Sequence, residues 1–292
     1  MSSGSLYIVA TPIGNLEDIT LRAIRILKEV DFIAAEDTRH TQKLLSHFDI
    51  HKNLTSYHDH NKEEKAPVIV TRLLEGQSAA LVSDAGTPGI SDPGYFLINT
   101  AIENRIPVIP IPGPTAAIAA LSISGLPTDA FVFEGFLPSK RSQKLSRLEL
   151  LKSEPRTIIL YEAPHKIFNT LQDIREVMGE RRVSLSRELT KIHEKTMRGN
   201  ISDIIKAVES ISGASGGDTG PPPQGSSAGI RGEITLVIEG VAGEPAQAPS
   251  ADPLAILEDL MREGFSRKTA SAEAARITGM SRKEIYNASL KK

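Results

Sequence analysis

Short apolar runs alternate with helical patterns through the first third of the chain. Strands are predicted over 5–10, 31–35, 53–57, 79–83 and 107–111. Helices are predicted over 21–30 and near Thr41, Glu64, Phe96 and Ala117. Strands that alternate with helices are typical of a mostly parallel sheet covered by helices. The wholly apolar stretches 80–82 and 108–109 fit strands that are buried on both faces.

A second α/β pattern follows a turn at 125–127. Its predicted strands are 131–133, 157–161, 183–186 and 233–238, and its predicted helices are 142–151, 165–177 and 201–211. We therefore expect an N-terminal α/β domain over 1–125 and a C-terminal α/β domain over 126–242.

Two polar segments interrupt the remainder of the chain. The segment 212–229 is rich in Gly, Ser and Pro and has almost no apolar residues, which predicts a mobile surface loop. A Pro/Ala linker over 240–251 precedes the strong helix formers of 253–292. Within these, Ser266 and Ser281 are candidate helix caps, and Gly264 and Gly279 are candidate helix ends. We expect a small domain of three helices over 253–292.

Composition narrows the class of protein. The 292 residues are 40% hydrophobic and 24% charged, without cysteine, which excludes disulfides and thiolate chemistry and favours a cytoplasmic location. No apolar run approaches the roughly 20 residues that span a bilayer, and the N-terminus lacks the pattern of a signal peptide. We therefore expect no membrane association.

The net charge of −2 is unevenly distributed. The residues 253–292 carry 8 Lys/Arg and 5 Asp/Glu and are therefore net basic. The rest of the chain, which we call the body, is net acidic. A basic terminal domain on an acidic body suggests a polyanionic partner. A solvated helical domain without such a partner explains the charge equally well.

Four loops lie at predicted strand ends, where open α/β sheets bind ligands. They are 10–15, 83–94, 112–116 and 161–165. The second loop holds three Gly and two Pro, more than a simple turn needs, and this favours a loop shaped around a ligand. The first loop, taken alone, is equally consistent with an ordinary turn. No phosphate-binding G-x-x-x-x-G-K-[ST] motif occurs, and no G-x-G-x-x-G motif follows the first strand.

Two polar segments, 36–40 and 56–62, also follow predicted strands. In a parallel sheet they share one rim with the glycine loops. Arg39 and Lys62 can hold a phosphate there, and Asp37 or His58 can accept a proton. The competing interpretation is structural, with Asp37 or Thr38 capping the next helix.

The polar segment 56–62 gives only weak support for a metal-binding site. His58 and His60 flank Asp59, but the chain has no cysteine and no H-E-x-x-H motif. We therefore predict no metal site.

The loops carry a resemblance to a known family. The opening 6–20 resembles that of the tetrapyrrole-methylase-like methyltransferases. Five further stretches resemble one branch of that class, ribosomal RNA small subunit methyltransferase I: 35–39, 82–94, 112–116, 161–165 and 187–191. The resemblance runs from Leu6 to Gly240, and the terminal helical domain also resembles that of the branch. The length and composition of 212–229 depart from it.

The resemblance implies fold and function. It implies two α/β domains of tetrapyrrole methylase type with the cofactor cleft between them, usually in a homodimer. It implies S-adenosylmethionine as methyl donor and the ribose 2′-oxygen of a cytidine in small-subunit ribosomal RNA as acceptor. The implied cofactor-binding residues are Pro12, Asp84, Ala85, Gly86, Ile90, Ser91, Thr115, Ala116, Tyr161 and Leu189. The catalytic residues remain candidates from the polar rim: Asp37, Arg39 and His58.

Two other functions are compatible with parts of the sequence. A methyltransferase of the same fold acting on a small tetrapyrrole shares the cofactor loops but needs neither the polar 36–40 segment nor a basic tail. A non-catalytic nucleic-acid-binding protein is suggested by 266–283, which resembles a helix-turn-helix in outline. The Gly- and Pro-rich loops at one sheet edge argue against an inert scaffold.

Overall fold

Contacts in the computed structural model divide the chain into two units, Met1–Val241 and Ala242–Lys292. The structure describes residues 3–214, 232–241, 253–262, 264–278 and 281–290. Within these ranges no helix is both long and apolar enough to cross a membrane.

Five parallel strands and five helices make up the first half of the larger unit. The strands are β1 (Leu6–Val9), β2 (Phe32–Ala35), β3 (Asn53–Ser56), β4 (Ala79–Val82) and β5 (Val108–Ile111). The helices are α1 (Leu21–Glu29), α2 (Thr38–His47), α3 (Lys62–Leu74), α4 (Gly94–Glu103) and α5 (Ala116–Ser124). The strand order is β3-β2-β4-β1-β5. The predicted parallel sheet is confirmed, and its strand ends meet at one edge.

Both faces of this sheet are buried. Along β2, Phe32 and Ala34 pack into one apolar cluster, whereas Ile33 and Ala35 pack into the cluster on the opposite face. Successive side chains of a strand point to opposite faces, so a fully apolar strand requires cover on both sides. The helices supply that cover.

The second half of the larger unit holds a mixed sheet. Its strands are β6 (Phe131–Phe136), β7 (Thr157–Glu162), β8 (Arg182–Arg187), β9 (Lys195–Asn200) and β10 (Ile234–Ile238). Its helices are α6 (Arg141–Leu151), α7 (Ile167–Met178) and α8 (Ile201–Ala214). The order is β6-β7-β10-β8-β9, and only β6 and β7 pair in parallel. The last strand, β10, lies at the centre and pairs antiparallel with both β7 and β8.

One strand of this sheet is absent from the sequence-based prediction. The β9 sequence, KTMRGN, is polar and lies at the sheet edge, where no residue of the strand is fully buried. A half-exposed edge strand lacks the apolar alternation by which strands are recognised. The predicted loop 212–229 lies outside the described residues, apart from three residues that extend α8.

Three helices form the smaller unit, which confirms the predicted helical region. They are α9 (Pro253–Arg262), α10 (Arg267–Thr278) and α11 (Arg282–Ser289). Their core consists of Leu257, Ala270, Ala274 and Ile285. Gly264 has φ +96° between α9 and α10, a backbone conformation that side chains disfavour. Gly279 lies outside the described residues.

The start of α10 supplies a test of the predicted caps. Ser266 Oγ accepts a hydrogen bond from the Thr269 amide at 3.2 Å, whereas Ser281 lies at the start of α11 without a side-chain capping bond. Ser266→Ala should therefore destabilise the smaller unit by about 1 kcal/mol, and Ser281→Ala should cost less. Hydrogen exchange of the α10 and α11 amides in the full chain measures both effects. Equal protection losses in the two variants would contradict the assignment.

Candidate functional site

A cavity of about 430 Å³ lies where the carboxyl ends of the first sheet face the second sheet. Its size is typical of a site for a small molecule. The lining residues from the first sheet and its loops are Ile13, Glu36, Ser83, Asp84, Ala85, Gly86, Thr87, Ile90, Ser91, Asp92, Thr115 and Ala116. Those from the second sheet are Phe136, Tyr161, Glu162, Ala163, Pro164, Gly232, Glu233, Ile234 and Thr235.

Eight of the ten residues assigned to the cofactor from the sequence line this cavity. They are Asp84, Ala85, Gly86, Ile90, Ser91, Thr115, Ala116 and Tyr161. Pro12 instead lines a small groove that adjoins the cavity. Leu189 is buried in the apolar cluster that also contains Ile13 and Ala117. The structure thus brings three separate loops of the sequence together.

The loop after β4 forms much of the wall through unusual backbone geometry. Gly86, Gly89 and Ser91 have φ of +82°, +88° and +65°. Gly86 forms an isolated bridge with Thr11, its amide donating to the Thr11 carbonyl at 3.0 Å and its carbonyl accepting from the Thr11 amide at 2.9 Å. Asp92 Oδ1 accepts from the Gly89 amide at 2.7 Å and so closes the loop. Hydrogen bonds with Thr11 and Asp92 therefore fix the backbone of this loop, where the residues with positive φ lie.

Further hydrogen bonds tie the walls together. The Asp37 amide donates to Asp84 Oδ1 at 3.0 Å, which joins the ends of β2 and β4. The Ala117 amide donates to the Tyr161 hydroxyl at 3.2 Å, which joins α5 to the second sheet. Burial raises the pKa of Tyr161, so this hydroxyl stays protonated at neutral pH. These hydrogen bonds consequently link the two sheets and their loops around the cavity.

Carboxylates dominate the charge of the lining. They belong to Glu36, Asp84, Asp92, Glu162 and Glu233, and none of the described lining residues is Lys, Arg or His. Glu162 is fixed in place, because its Oε1 accepts from the Ala163 amide at 2.8 Å and its Oε2 from the Thr170 hydroxyl at 2.6 Å. A concave site with charges of one sign concentrates its field, and this one favours cations.

Glu36 occupies a distinctive position in the cavity. It follows the last residue of β2 and is half-buried. Burial raises the pKa of Glu36, and the neighbouring carboxylates of Asp84, Asp92 and Asp59 raise it further, whereas a hydrogen bond from the Asp84 backbone opposes the rise. A carboxyl with a raised pKa that faces a cavity is suited to accept a proton.

Asp37 and Arg39 do not line the cavity. Asp37 caps α2, since its Oδ1 accepts from the Arg39 amide at 2.8 Å. The Arg39 guanidinium donates to the same carboxylate at 2.9 and 3.2 Å. These bonds lower the pKa of Asp37 to about 2. Arg39 is 89% exposed. The structure therefore contains the capping interaction that competed with the functional interpretation.

His58 also lies outside the lining. Its amide donates to Asn61 Oδ1 at 2.9 Å, and its Nδ1 is buried without a hydrogen-bond partner among the described atoms. Lys62 Nζ contacts Asp59 Oδ1 at 2.9 Å. In the described part of the chain, no three His, Cys, Asp or Glu side chains are grouped to hold a metal.

Sequence reasoning missed several residues that line the cavity, among them Glu36, Phe136, Glu162 and Glu233. Glu162 and Glu233 lie at opposite ends of their strands in the chain, but β7 and β10 are antiparallel, so both reach the same edge. The ring of Phe136 packs against that of Tyr161 at an interplanar angle of 58°, with ring centres 5.6 Å apart. Glu162 had a signal in the sequence as part of the loop 161–165, and Glu36 had one as part of the polar segment 36–40.

Family profiles cover most of the chain. The profile of the Tetrapyrrole (Corrin/Porphyrin) Methylases matches residues 5–205. The profile of the RsmI C-terminal HTH domain matches residues 247–292. The larger unit and the helical unit are thus matched by separate families.

Curated relatives match over nearly their full lengths. One from Halalkalibacterium halodurans is 46% identical over 288 residues, covering 97% of this chain and 94% of the relative. One from Synechocystis sp. is 48% identical over 289 residues, covering 98% of each. Both are named ribosomal RNA small subunit methyltransferase I.

Solved structures share the fold at low identity. A diphthine synthase superposes with a TM-score of 0.58 at 15% identity, covering 81% of this chain and 90% of that chain. A uroporphyrin-III C-methyl transferase from Thermus thermophilus, complexed with S-adenosyl homocysteine, gives 0.52 at 15% identity, covering 80% and 97%.

Proposed function

This chain belongs to the tetrapyrrole methylase family and, within it, to ribosomal RNA small subunit methyltransferase I, and from that premise we propose its reaction. It transfers a methyl group from S-adenosylmethionine to the 2′-oxygen of a cytidine ribose in small-subunit ribosomal RNA. Relatives at 46% and 48% identity, aligned over nearly the whole chain, support the enzyme class and the RNA substrate.

The charge of the cavity is the observation that carries this proposal. S-adenosylmethionine carries a sulfonium, an ammonium and a carboxylate group and so has a net positive charge, and five carboxylates line the cavity without a cation among the described lining residues. The apolar side chains of Ile13, Ile90 and Phe136 supply surface for its uncharged parts. We assign cofactor contacts to the loop residues Asp84, Ala85, Gly86, Ile90, Ser91, Thr115, Ala116 and Tyr161. Pro12 and Leu189 support these loops from outside the cavity.

The chemistry needs alignment and a proton acceptor. The bound cofactor supplies a methyl group that its sulfonium already activates. Positioning the ribose hydroxyl in line with the methyl–sulfur bond can contribute roughly 7–11 kcal/mol. We assign the hydroxyl proton to the Glu36 carboxylate, which faces the cavity. The oxygen gains the methyl carbon, the methyl–sulfur bond breaks, and the cofactor leaves as a neutral thioether.

The other rim residues shape the mouth of the cavity. Asp37 and Arg39 pair with each other and fix the start of α2, directly after Glu36. His58 is held by Asn61 where β3 ends. We assign these three residues to positioning, with no direct part in proton transfer.

Features of the terminal helices and of the larger unit support an RNA partner and a homodimer. The residues matched by the HTH profile carry the exposed Lys268 and Lys283, which suit the phosphates of RNA. Exposed apolar side chains on α4 and α5, among them Tyr95 and Ile118, support a homodimer. An RNA substrate within the ribosomal subunit supports a cytoplasmic location.

The reaction is tested on small ribosomal subunits from a host strain that lacks this protein. We expect the purified chain to bind S-adenosylmethionine in calorimetry and to add one 2′-O-methyl group, found as a single bond that resists alkaline cleavage. Subunits from the parent strain are the matched control and should accept no methyl group. Transfer to a tetrapyrrole but not to RNA would establish the alternative enzyme, and an absence of binding heat would contradict any methyl transfer.

A further inference from the structure

A second, smaller cavity opens beside the proposed cofactor site. It has a volume of about 160 Å³, and we call it the α2 groove. It is lined by Thr11, Pro12, Leu16, His40, Lys43, Leu44 and Asp84. Among the described residues, Asp84 alone lines both this groove and the large cavity.

The charge of the α2 groove differs from that of the large cavity. His40 and Lys43 are one turn apart on α2, so their side chains share a helix face. Both are exposed, and neither forms an ion pair within the described residues. The helix itself contains no Asp or Glu. The groove therefore presents His40 and Lys43 beside the single carboxylate of Asp84, whereas the large cavity presents five carboxylates and no cation among its described lining residues.

The neighbouring cations are already neutralised. Arg39 is held by Asp37 at 2.9 Å, and Lys62 by Asp59 at 2.9 Å. These are the two residues whose positions in the sequence suggested phosphate binding. Pairing with a carboxylate reduces their attraction for an anion, so His40 and Lys43 are the better candidates.

The covalent structure of RNA sets the required distance. The 2′-oxygen and the 3′-phosphate belong to adjacent ribose carbons, so a phosphate lies within a few ångströms of any hydroxyl that is methylated. Asp84 lies between the two sites, because it lines both the α2 groove and, together with Glu36, the large cavity. A ribose at Glu36 therefore brings its own phosphate to this groove.

We propose that the α2 groove binds the phosphodiester next to the methylated ribose, with Lys43 as the principal contact and His40 as the second. The inference rests on the proposed function and specifies how that site holds its substrate. It also explains how a polyanion approaches an acidic cavity: the phosphate stays beside His40 and Lys43, and only the uncharged ribose enters the cavity.

The test compares three variants at two exposed helix positions, Lys43 and Lys28. Lys43→Gln removes the charge, Lys43→Arg keeps it, and Lys28→Gln is the control, because Lys28 lies in the last turn of α1 and hence at the opposite edge of the sheet. Single-turnover methylation of unmethylated small subunits is measured against subunit concentration and salt. Calorimetry with S-adenosylmethionine reports the cofactor site separately.

We expect Lys43→Gln to raise the half-saturating subunit concentration roughly tenfold. It should also flatten the salt dependence by about one unit in the log–log slope. Cofactor affinity should stay unchanged, Lys43→Arg should restore most of the binding, and Lys28→Gln should behave like the unmodified protein.

Two outcomes would overturn the inference while the proposed function stands. One is a Lys43→Gln variant that matches Lys28→Gln in both half-saturation and slope. The other is a lower rate at saturation with no change in half-saturation, since that places Lys43 outside substrate binding. If the unmodified protein itself neither binds the cofactor nor methylates subunits, the proposed function has failed instead.

Discussion

Replacing Glu36 by glutamine is expected to slow methyl transfer about 10²- to 10⁴-fold at saturating RNA and cofactor, the range that a positioned general base supplies. The side chain keeps its size and its place at the end of β2, so the fold and the cofactor site should be preserved. The unmodified protein should lose single-turnover activity as pH falls through the pKa of Glu36, because a base acts in its ionised form. Burial and nearby carboxylates put that midpoint above the ordinary range of a glutamate.

The control for Glu36→Gln is Glu63→Gln, at an exposed position in the first turn of α3. It should transfer methyl groups at the normal rate and retain the acidic limb of the pH profile. In Glu36→Gln the rate of methyl transfer should fall, and the rate that remains should no longer decline at acidic pH. A variant at position 36 that reacts normally, or that fails only because it no longer binds the cofactor, would remove Glu36 from the role of base.

Gly86→Val is expected to weaken cofactor binding by roughly 100-fold, about 2.7 kcal/mol. Gly86 has φ +82°, where an L-residue pays about 1–2 kcal/mol in backbone strain. A Cβ built there lies 3.5 Å from Ile13 Cγ2, so the first carbon fits but the two methyl groups of valine need further space within the cavity wall. Calorimetry with S-adenosylmethionine measures the loss.

The matched control is Gly125→Val, which separates the effect of backbone strain from that of a side chain obstructing the cofactor site. Gly125 has a similar φ of +74° at the end of α5, nothing lies within 4 Å of its added Cβ, and it does not line the cavity. Both variants should lower the melting temperature, but only Gly86→Val should lose cofactor affinity. Equal affinities in the two variants would mean that the loop after β4 does not hold the cofactor.

The loops that line the cavity could be predicted, because the carboxyl ends of parallel strands lie at the same edge of a sheet. Once strands alternate with helices, the segments after β1, β4 and β5 must lie at one edge, and Gly86, Ser91 and Thr115 do line one cavity. Which side chain points inward could not be predicted in the same way. At the end of β2, Glu36 faces the cavity, whereas Asp37 one residue later turns away to cap α2.

The strand order of the second sheet was harder to predict, because local sequence patterns do not determine which strands pair. The sequence predicts four of its strands from apolar runs, but it gives no sign that β10 inserts between β7 and β8. That insertion is what brings Glu233 to the cavity edge beside Glu162. Long-range pairing of this kind depends on the packing of the whole domain.

The central position of β10 has a consequence for the order in which the protein can fold during synthesis. The first sheet is complete once Ile111 has left the ribosome, whereas the second lacks its middle strand until Ile238 has followed. Until then β7 and β8 each have an unpaired edge, and such edges attract other chains. A nascent or truncated chain that ends before residue 234 should therefore hold one finished half and one aggregation-prone half, with the greatest need for chaperones while the segment before β10 is being translated.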